Sequence, residues 1–460
     1  MPALTSIRVT DMLGVWDHTV DFPRDWEFVI LYGPNGVGKT KLLEAANALT
    51  ELEIQKLVRI PFDTLQLEYD DGSILEASQS FRTGDEDQVH DKTGSKEDAR
   101  PDFTVDELRL ALRRHGEELA KVMIANPEAT TLANWLLANT SWREAGNGLW
   151  EDTEDGEVVE FSQLQVRFRH SPTPGSHGSV RIPDHIRDFA SSVKSHLIET
   201  QRLLLTASRP SRPSRPPGWR RTTENRSTVA EYSEDLKRRL GRALAQNSKT
   251  TQQLDRTFPR RILENPAPPN VNDQMIRAKY QEQNELRSRL AGITVIGGEA
   301  DLPLPQRKLE DWERHVLWTS LNDTDAKLSS FEEILQRITL LEDIINRRFH
   351  GKKISVNSED GLRIRTSPDD RTIAPENLSS GEQHELILMY DFLLNAQQGT
   401  TVLIDEPEIS LHVAWQQQFL EDIAQIAKVL SLRFIVATHS PQIIHKWWDR
   451  TVQLGPDAEQ

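Results

Sequence analysis

The 460-residue chain contains no cysteine. That excludes a disulfide framework and any cysteine-ligated metal site, and it fits a reducing compartment. No uninterrupted apolar run is long enough to cross a bilayer, and the opening MPALTSIRVT lacks the basic region and apolar stretch of an export signal. The expectation is a soluble, unexported, cytoplasmic protein without a membrane partner. Positive charge is in deficit: 55 Lys and Arg against 71 Asp and Glu leave a formal net charge of -16. Such a balance argues against a nucleic-acid coat over the whole surface, yet leaves room for a local basic path. At this length two or three structural units are expected.

What is there begins with a phosphate loop. Phe28-Val29-Ile30-Leu31-Tyr32 reads as a buried strand, preceded by short paired strands around Ile7, Val9, Val15, Trp16 and Val20. Gly33-Pro34-Asn35-Gly36-Val37-Gly38-Lys39-Thr40 follows at once and satisfies G-x4-G-K-[ST], with the apolar helix face of Leu42, Leu43, Ala45, Ala46 and Leu49 behind it. Strand before and helix after is the context this motif needs: the glycines at 36 and 38 and the backbone at Asn35 let N–H groups face a phosphate at a helix N-terminus. Lys39 reaches the terminal phosphates and Thr40 offers its hydroxyl to magnesium.

The middle of the chain is less regular. Residues 54–80 alternate as strands, with an Asp71-Gly72 hairpin turn. A polar, acidic stretch runs to about residue 102, a helical pattern is predicted from Val105 to about Leu119, and the tryptophan-rich stretch from Asn134 to Trp150 has no clear assignment. The run Glu151-Asp152-Thr153-Glu154-Asp155 reads as a solvated turn rather than a metal cage, and Val166–Phe168 as a short strand. The apolar strand end His196–Thr200 is followed by Gln201, either an ordinary surface glutamine or a site residue. Ser208–Arg221, SRPSRPSRPPGWRR, cannot continue a helix or central strand. Helical patterns at Glu231–Leu263 and Val271–Leu290, separated by a proline-rich turn, predict two helices running out and back, and a third pattern, Leu309–Arg348, leads back to the core. Between Arg202 and Arg261 there are thirteen arginines and two lysines against five carboxylates. This basic segment is a solvated helical face with a basic loop, or a surface for nucleic acid or an acidic partner.

The last third completes the nucleotide machinery. Lys353–Val356 and Leu362–Ile364 flank an Asp360-Gly361 turn as a hairpin. Leu378-Ser379-Ser380-Gly381-Glu382-Gln383 opens a helix to about Asn395, presenting a hydroxyl and free N–H groups to an anion. Thr401-Val402-Leu403-Ile404-Asp405-Glu406 is an apolar strand ending in two acids: Asp405 can hold magnesium, and Glu406 can orient or deprotonate the attacking water. Phe434–Thr438 is a further buried strand that delivers His439.

The ordered set GPNGVGKT, Gln201, LSSGEQ, LIDEPE, Ser410-Leu411-His412 and THSPQII resembles ATP-binding-cassette (ABC) ATPases of the SMC, RecF and OLD-like branch, and most of all the free-standing anti-phage ATPases of Septu, PARIS and retron-associated systems. The likeness covers roughly residues 1–60, 195–205 and 346–445. It implies an α/β ABC ATPase head with a P-loop mixed sheet, split by a coiled-coil-like helical insertion. The implied domains are lobe I at 1–205 with an acidic insertion at about 81–170, a basic segment and helical arm at 206–345, and lobe II at 346–460. It further implies ATP and Mg2+ as cofactors, Thr40, Gln201 and Asp405 around the metal, Glu406 and His439 as catalytic, and Asn35, Gly36, Gly38, Lys39 and Thr40 on the nucleotide. Ser379 and Gly381 would be supplied by a second subunit, so a homodimer or an assembly of dimers is expected. Ser380 stands where a glycine is usual, and Ser410-Leu411-His412 lacks the aspartate of transporters. The function implied is a sensor or regulator in anti-phage defence, with a separately encoded nuclease effector, since 441–460 leaves no room for a nuclease domain, and with nucleic acid or a phage component as trigger. The alternative is a DNA-repair or recombination ATPase that clamps DNA; a transporter subunit fits least.

Overall fold

The computed structural model describes residues 2–81, 105–125, 132–133, 136–137, 140–146, 149–154, 156–160, 163–164, 167, 182–199, 228–264, 271–293, 303–409 and 411–455. The chain divides into two compact units: Met1–Thr200 with Gln397–Ile409 and Gln416–Gln460, and Gln201–Ala396 with Ser410–Trp415.

The first unit opens with β1 (Leu4–Met12) and β2 (Trp16–Asp21), then β3 (Phe28–Tyr32), α1 (Lys39–Thr50), α2 (Ile54–Val58), β4 (Thr64–Tyr69), β5 (Ser73–Phe81), β6 (Val105–Arg114) and β7 (Glu117–Ala125). All but β3 of these strands form an antiparallel sheet in the order β2-β1-β4-β5-β6-β7. Its inward alternation (Ile7, Val9, Leu65, Leu67, Leu75, Leu110) packs with Leu42, Leu43 and Leu49 of α1 in one core. Two readings of the sequence change here. Residues 54–58 are a short helix rather than strand, and Val105–Leu119 is a hairpin rather than a helix. Its Glu, Leu, Arg and Ala residues favour helix by composition, but Leu108, Leu110 and Leu112 are buried at every second position. The turn is His115-Gly116, with φ of 52° and 86°, the paired positive values of a two-residue hairpin.

β8 (Trp142–Gly146), β9 (Leu149–Asp152) and β10 (Val158–Glu160) make a small sheet. Trp142 and Trp150 fill its satellite core with Leu136 and Leu164, which places two tryptophans of the stretch that sequence left open. Of the strand expected at Val166–Phe168, residues 166 and 168 lie outside the described residues. α3 (Asp184–Ser192) then leads to β11 (Ser195–Glu199).

The second unit carries the arm: α4 (Thr228–Glu264), α5 (Asp273–Ile293) and α6 (Asp311–Arg348). α4 runs against α6, with Asn247 Nδ2 donating to the Lys327 carbonyl at 2.6 Å, Lys327 paired with Asp255 at 2.8 Å, and Arg261 paired with Asp323. α5 lies along α6 in the same direction, Asp273 meeting Arg314 and Gln283 meeting the Leu321 carbonyl. The expected pair of helices is therefore a group of three, with α6 as the surface on which the other two pack. At the root of the arm are β12 (Lys352–Asn357), β13 (Gly361–Thr366) and β14 (Thr372–Ile373), followed by α7 (Ser380–Tyr390), which continues as a wider turn through Asp391–Asn395.

The chain closes in the first unit with β15 (Thr401–Asp405), β16 (Arg433–Ala437), α9 (Pro441–Ile444) and β17 (Thr451–Gln453), α8 (Val413–Leu430) lying between β15 and β16 in sequence. With β3 and β11 these strands form a parallel sheet, β11-β15-β16-β3-β17. β15 is buried at all five positions and β16 at four, the continuous apolar runs of a sheet covered on both faces. Parallel order puts every carboxyl end on one side. The loops after β3, β15 and β16 therefore gather at one edge, where α/β sheets bind ligands. The chain is thus α/β, a P-loop sheet interrupted in sequence by long helices.

Candidate nucleotide-binding site

Each loop at that edge delivers predicted groups. The phosphate loop leaves β3 at Gly33, where an added Cβ would sit 2.3 Å from the Leu454 carbonyl oxygen after β17; only glycine fits so close an approach. Gly36 and Gly38 have φ of 88° and 89°, with open space where a Gly36 side chain would stand. His18, buried on β2, holds the loop from behind through Nε2 at 2.7 Å from the Val37 carbonyl. Lys39 is 5% exposed, and its Nζ donates to the Gly33 and Pro34 carbonyls at 2.9 and 3.1 Å. Thr40 Oγ1 donates to both oxygens of Asp405, at 2.9 and 3.1 Å, across the space between α1 and β15. Asn35 lies on the exposed rim of the loop.

Past β15 the backbone turns sharply. Glu406 has φ of 47° and is pinned by its N–H to the Ala437 carbonyl at 2.8 Å, a costly conformation for a non-glycine residue that the neighbouring strand holds in place. His439, following β16, has Nδ1 3.4 Å from Lys39 Nζ and Nε2 3.6 Å from Glu406 Oε1. A neutral ring with the proton on Nε2 satisfies both neighbours, since a lysine ammonium can only donate. Lys39, Thr40, Asp405, Glu406 and His439 are thereby brought together.

Electrostatics follow from burial and crowding. Burial pushes the Asp405 carboxyl up to about 6; the Thr40 hydroxyl pulls it down, the Glu406 and Glu44 carboxylates push it further up, and Lys39 opposes them. Burial lowers Lys39, while the carboxylates of Glu406, Asp405 and Glu408 act to keep it protonated. The residues fit a nucleoside triphosphate and a hard divalent cation. The loop has an open cradle at Gly36, and a threonine hydroxyl within hydrogen-bond distance of a carboxylate is the oxygen donor set magnesium takes. Bound there, a magnesium triphosphate would supply the phosphoryl group and neutralise charge on its oxygens. The chain itself supplies the Lys39 ammonium, the Thr40 and Asp405 oxygens, and a Glu406 carboxylate able to take a proton from water.

Ser379 and Gly381 lie in the second unit, at the start of α7. Ser379 caps the helix: its Oγ accepts from the Glu382 N–H at 3.3 Å, and its own N–H donates to Glu382 Oε2 at 2.8 Å. Burial raises the Glu382 carboxyl, but Lys352 at 2.6 Å and Ser379 more than offset it and hold it below the usual range. Ser379 and Ser380 are exposed, and a Cβ at Gly381 would meet nothing within 4 Å, so this turn is open to approach. Gln201, Ser410 and the Ser208–Arg221 segment lie outside the described residues. Two residues that sequence reasoning passed over belong to the first unit's site: His18, and Glu408, whose carboxylate binds Thr438 and the His439 N–H. A histidine in a β-strand carries no local signal. Glu408 stood in view inside LIDEPE without a partner to suggest its use.

Residues 302–445 match the family model described as "AAA domain, putative AbiEii toxin, Type IV TA system", a span that takes in α6, α7, Asp405, Glu406 and His439 but not the phosphate loop. No curated protein matches. Among solved structures, the chain is similar to the Smc head domain with an extended coiled coil, bound to the C-terminal domain of ScpA, from Pyrococcus furiosus, at 13% identity and TM-score 0.33, covering 98% of this chain and 93% of that one. It is also similar to the SMC head domain from Thermotoga maritima, at 12% identity and TM-score 0.30, covering 96% and 91%. A third is the SmcHead bound to the C-winged helix domain of ScpA, at 11% identity and TM-score 0.35, covering 98% and 94%. With scores of that size, the fold stands on the strand order and loops described above.

Proposed function

We propose that the chain is a magnesium-dependent ATPase of the ABC type, in the SMC, RecF and OLD-like branch, which works as a dimer or an assembly of dimers. The carrying observation is the convergence of Lys39, Thr40, Asp405, Glu406 and His439 at the carboxyl ends of β3, β15 and β16. In this reading Lys39 and the backbone at Asn35, Gly36 and Gly38 hold the phosphates, Thr40, Asp405 and Gln201 attend the magnesium, and Glu406 activates water. His439 meets the terminal phosphate, while Ser379 and Gly381 act on the nucleotide of a second copy. Lobes at 1–205 and 346–460, with the arm at 206–345, complete the assignment. Phosphate release from ATP that requires Mg2+ and is abolished in Lys39→Ala tests it; equal release with and without Mg2+ would reject it.

At the next level the ATPase is a cytoplasmic regulator in anti-phage defence that holds or releases a separately encoded nuclease. The matching family's description, "putative AbiEii toxin, Type IV TA system", is what supports that direction. Native mass measurement of the chain co-expressed with its neighbouring gene product tests it: a stoichiometric, ATP-sensitive complex is expected.

A second reading, DNA clamping by the arm, has its own observation. Arg238, Arg242, Lys249, Arg256 and Arg260 are all exposed on α4. At 100° per residue they fall within about 40° of one another, along roughly 33 Å of helix. Arg242, Lys249 and Arg256 have no ion pair among the described residues, so their charge is available to phosphates. Replacing these three by alanine should weaken duplex binding and flatten its dependence on log salt by about 2–3, as expected for three lost phosphate contacts. Basal ATP turnover should stay as it was. An unchanged salt slope would remove the stripe from nucleic-acid contact.

A further inference from the structure

We propose that Glu408 is a positioning residue that straps the 438–440 segment and so fixes the His439 ring between Lys39 and Glu406; this rests on the ATPase reading above. After Asp405 and Glu406 the chain makes a tight turn, Pro407–Ile409, closed by the Ile409 N–H on the Glu406 carbonyl at 3.2 Å. That turn sends the Glu408 side chain to the end of β16. Both of its carboxylate oxygens lie 2.8 Å from Thr438 Oγ1, and Oε1 also accepts the His439 N–H at 2.8 Å. The ring of bonds then closes. Thr438 Oγ1 accepts the Ser440 N–H at 3.0 Å, Ser440 Oγ donates to Gln416 Oε1 at 3.0 Å, and Gln416 Nε2 reaches the Glu408 carbonyl at 3.4 Å. Thr438 is fully buried, and its N–H is spent on the Leu31 carbonyl of β3 at 3.1 Å.

Three consecutive residues are thus held by one carboxylate and its neighbours, and the imidazole of the middle one meets the phosphate-loop lysine. Without Glu408, the His439 N–H loses its acceptor and the backbone that aims the ring is released. A displacement of the order of 1 Å in a group oriented for reaction can cost about 10²-fold in rate. Glutamine at this position keeps the shape. Its carbonyl oxygen can accept both the His439 N–H and the Thr438 hydroxyl, and its amide can donate to Thr438 Oγ1, so the strap survives while the charge is lost.

The experiment compares wild type, Glu408→Ala, Glu408→Gln, His439→Ala and the Glu408→Ala/His439→Ala double variant in turnover, and the first three in backbone amide exchange without nucleotide. Glu408→Ala should lower kcat by about 10–10²-fold, with nucleotide affinity little changed, and the double variant should be no worse than His439→Ala alone, because a strap has nothing left to aim. Exchange at 438–440 should quicken in Glu408→Ala and stay slow in Glu408→Gln, which should also recover most of kcat. Wild-type kcat in Glu408→Ala, or multiplicative losses in the double variant, would overturn the assignment. Quickened exchange throughout β15 and β16 would overturn it too, as a merely structural role. If wild type released no phosphate from ATP, the ATPase reading would fall, while the exchange comparison would still decide whether Glu408 is the strap.

Discussion

Glu406→Gln is expected to bind magnesium-ATP at least as well as wild type and to turn it over about 10²–10⁴-fold more slowly, the range of a lost general base. Glu406 holds a positive φ fixed by the Ala437 carbonyl, and glutamine occupies that conformation with the same number of heavy atoms. What changes is charge. The Glu406 carboxylate is one of the groups that push Asp405 up, so neutralising it lets Asp405 ionise more readily, and the ionised form is the one that binds a cation. Lys39 loses one of its stabilising carboxylates but keeps Asp405 and Glu408. Binding is preserved and proton abstraction is not, so an ATP-bound assembly should accumulate. Turnover measured under saturating ATP checks this; a variant as fast as wild type would remove Glu406 from the chemistry.

Arg348→Met should be the most destabilising single change in the second unit. Arg348, at the C-terminal end of α6, pairs with Glu385 on α7, and the two side chains are 1% and 0% exposed. Removing one partner of such a pair strands a charge out of water and costs roughly 3–5 kcal/mol, whereas replacing both by apolar groups of similar volume is often neutral. Arg348→Met/Glu385→Met should therefore recover most of what Arg348→Met loses. Chemical denaturation followed by a probe in the second unit measures both. A single variant within about 1 kcal/mol of wild type would mean that Glu385 finds water or another partner.

The local structure around the site was legible in the sequence wherever a single motif contains its own physical requirement. Strand, glycine loop, lysine and helix occur in order from Phe28 to Thr50, and the apolar runs ending at Asp405 and His439 can only be covered strands. Convergence of these loops followed from the family resemblance and not from periodicity, because the order β11-β15-β16-β3-β17 sets β3 beside strands hundreds of residues further along the chain. Glu408 was missed for the same reason: its partners lie 30 and 31 residues away, and only the parallel pairing of β15 with β16 brings them together. At β6 the difficulty was local. Helix-favouring residues were forced into a strand by neighbours on both sides, and the alternation of Leu108, Leu110 and Leu112 with the His115-Gly116 turn carried the signal against a helix. The arm was visible as helices, but its grouping around α6 depends on pairs such as Arg261 with Asp323 that no periodicity specifies.

In the proposed dimer each nucleotide site takes Lys39 from one copy and Ser379 from another. Lys39→Ala and Ser379→Arg proteins, each inactive alone, should regain about a quarter of wild-type turnover when mixed and allowed to exchange subunits, because half of the dimers are mixed and each mixed dimer has one intact site. A mixture as inactive as its parents, or a Ser379→Arg protein that hydrolyses ATP by itself at the wild-type rate, would contradict it.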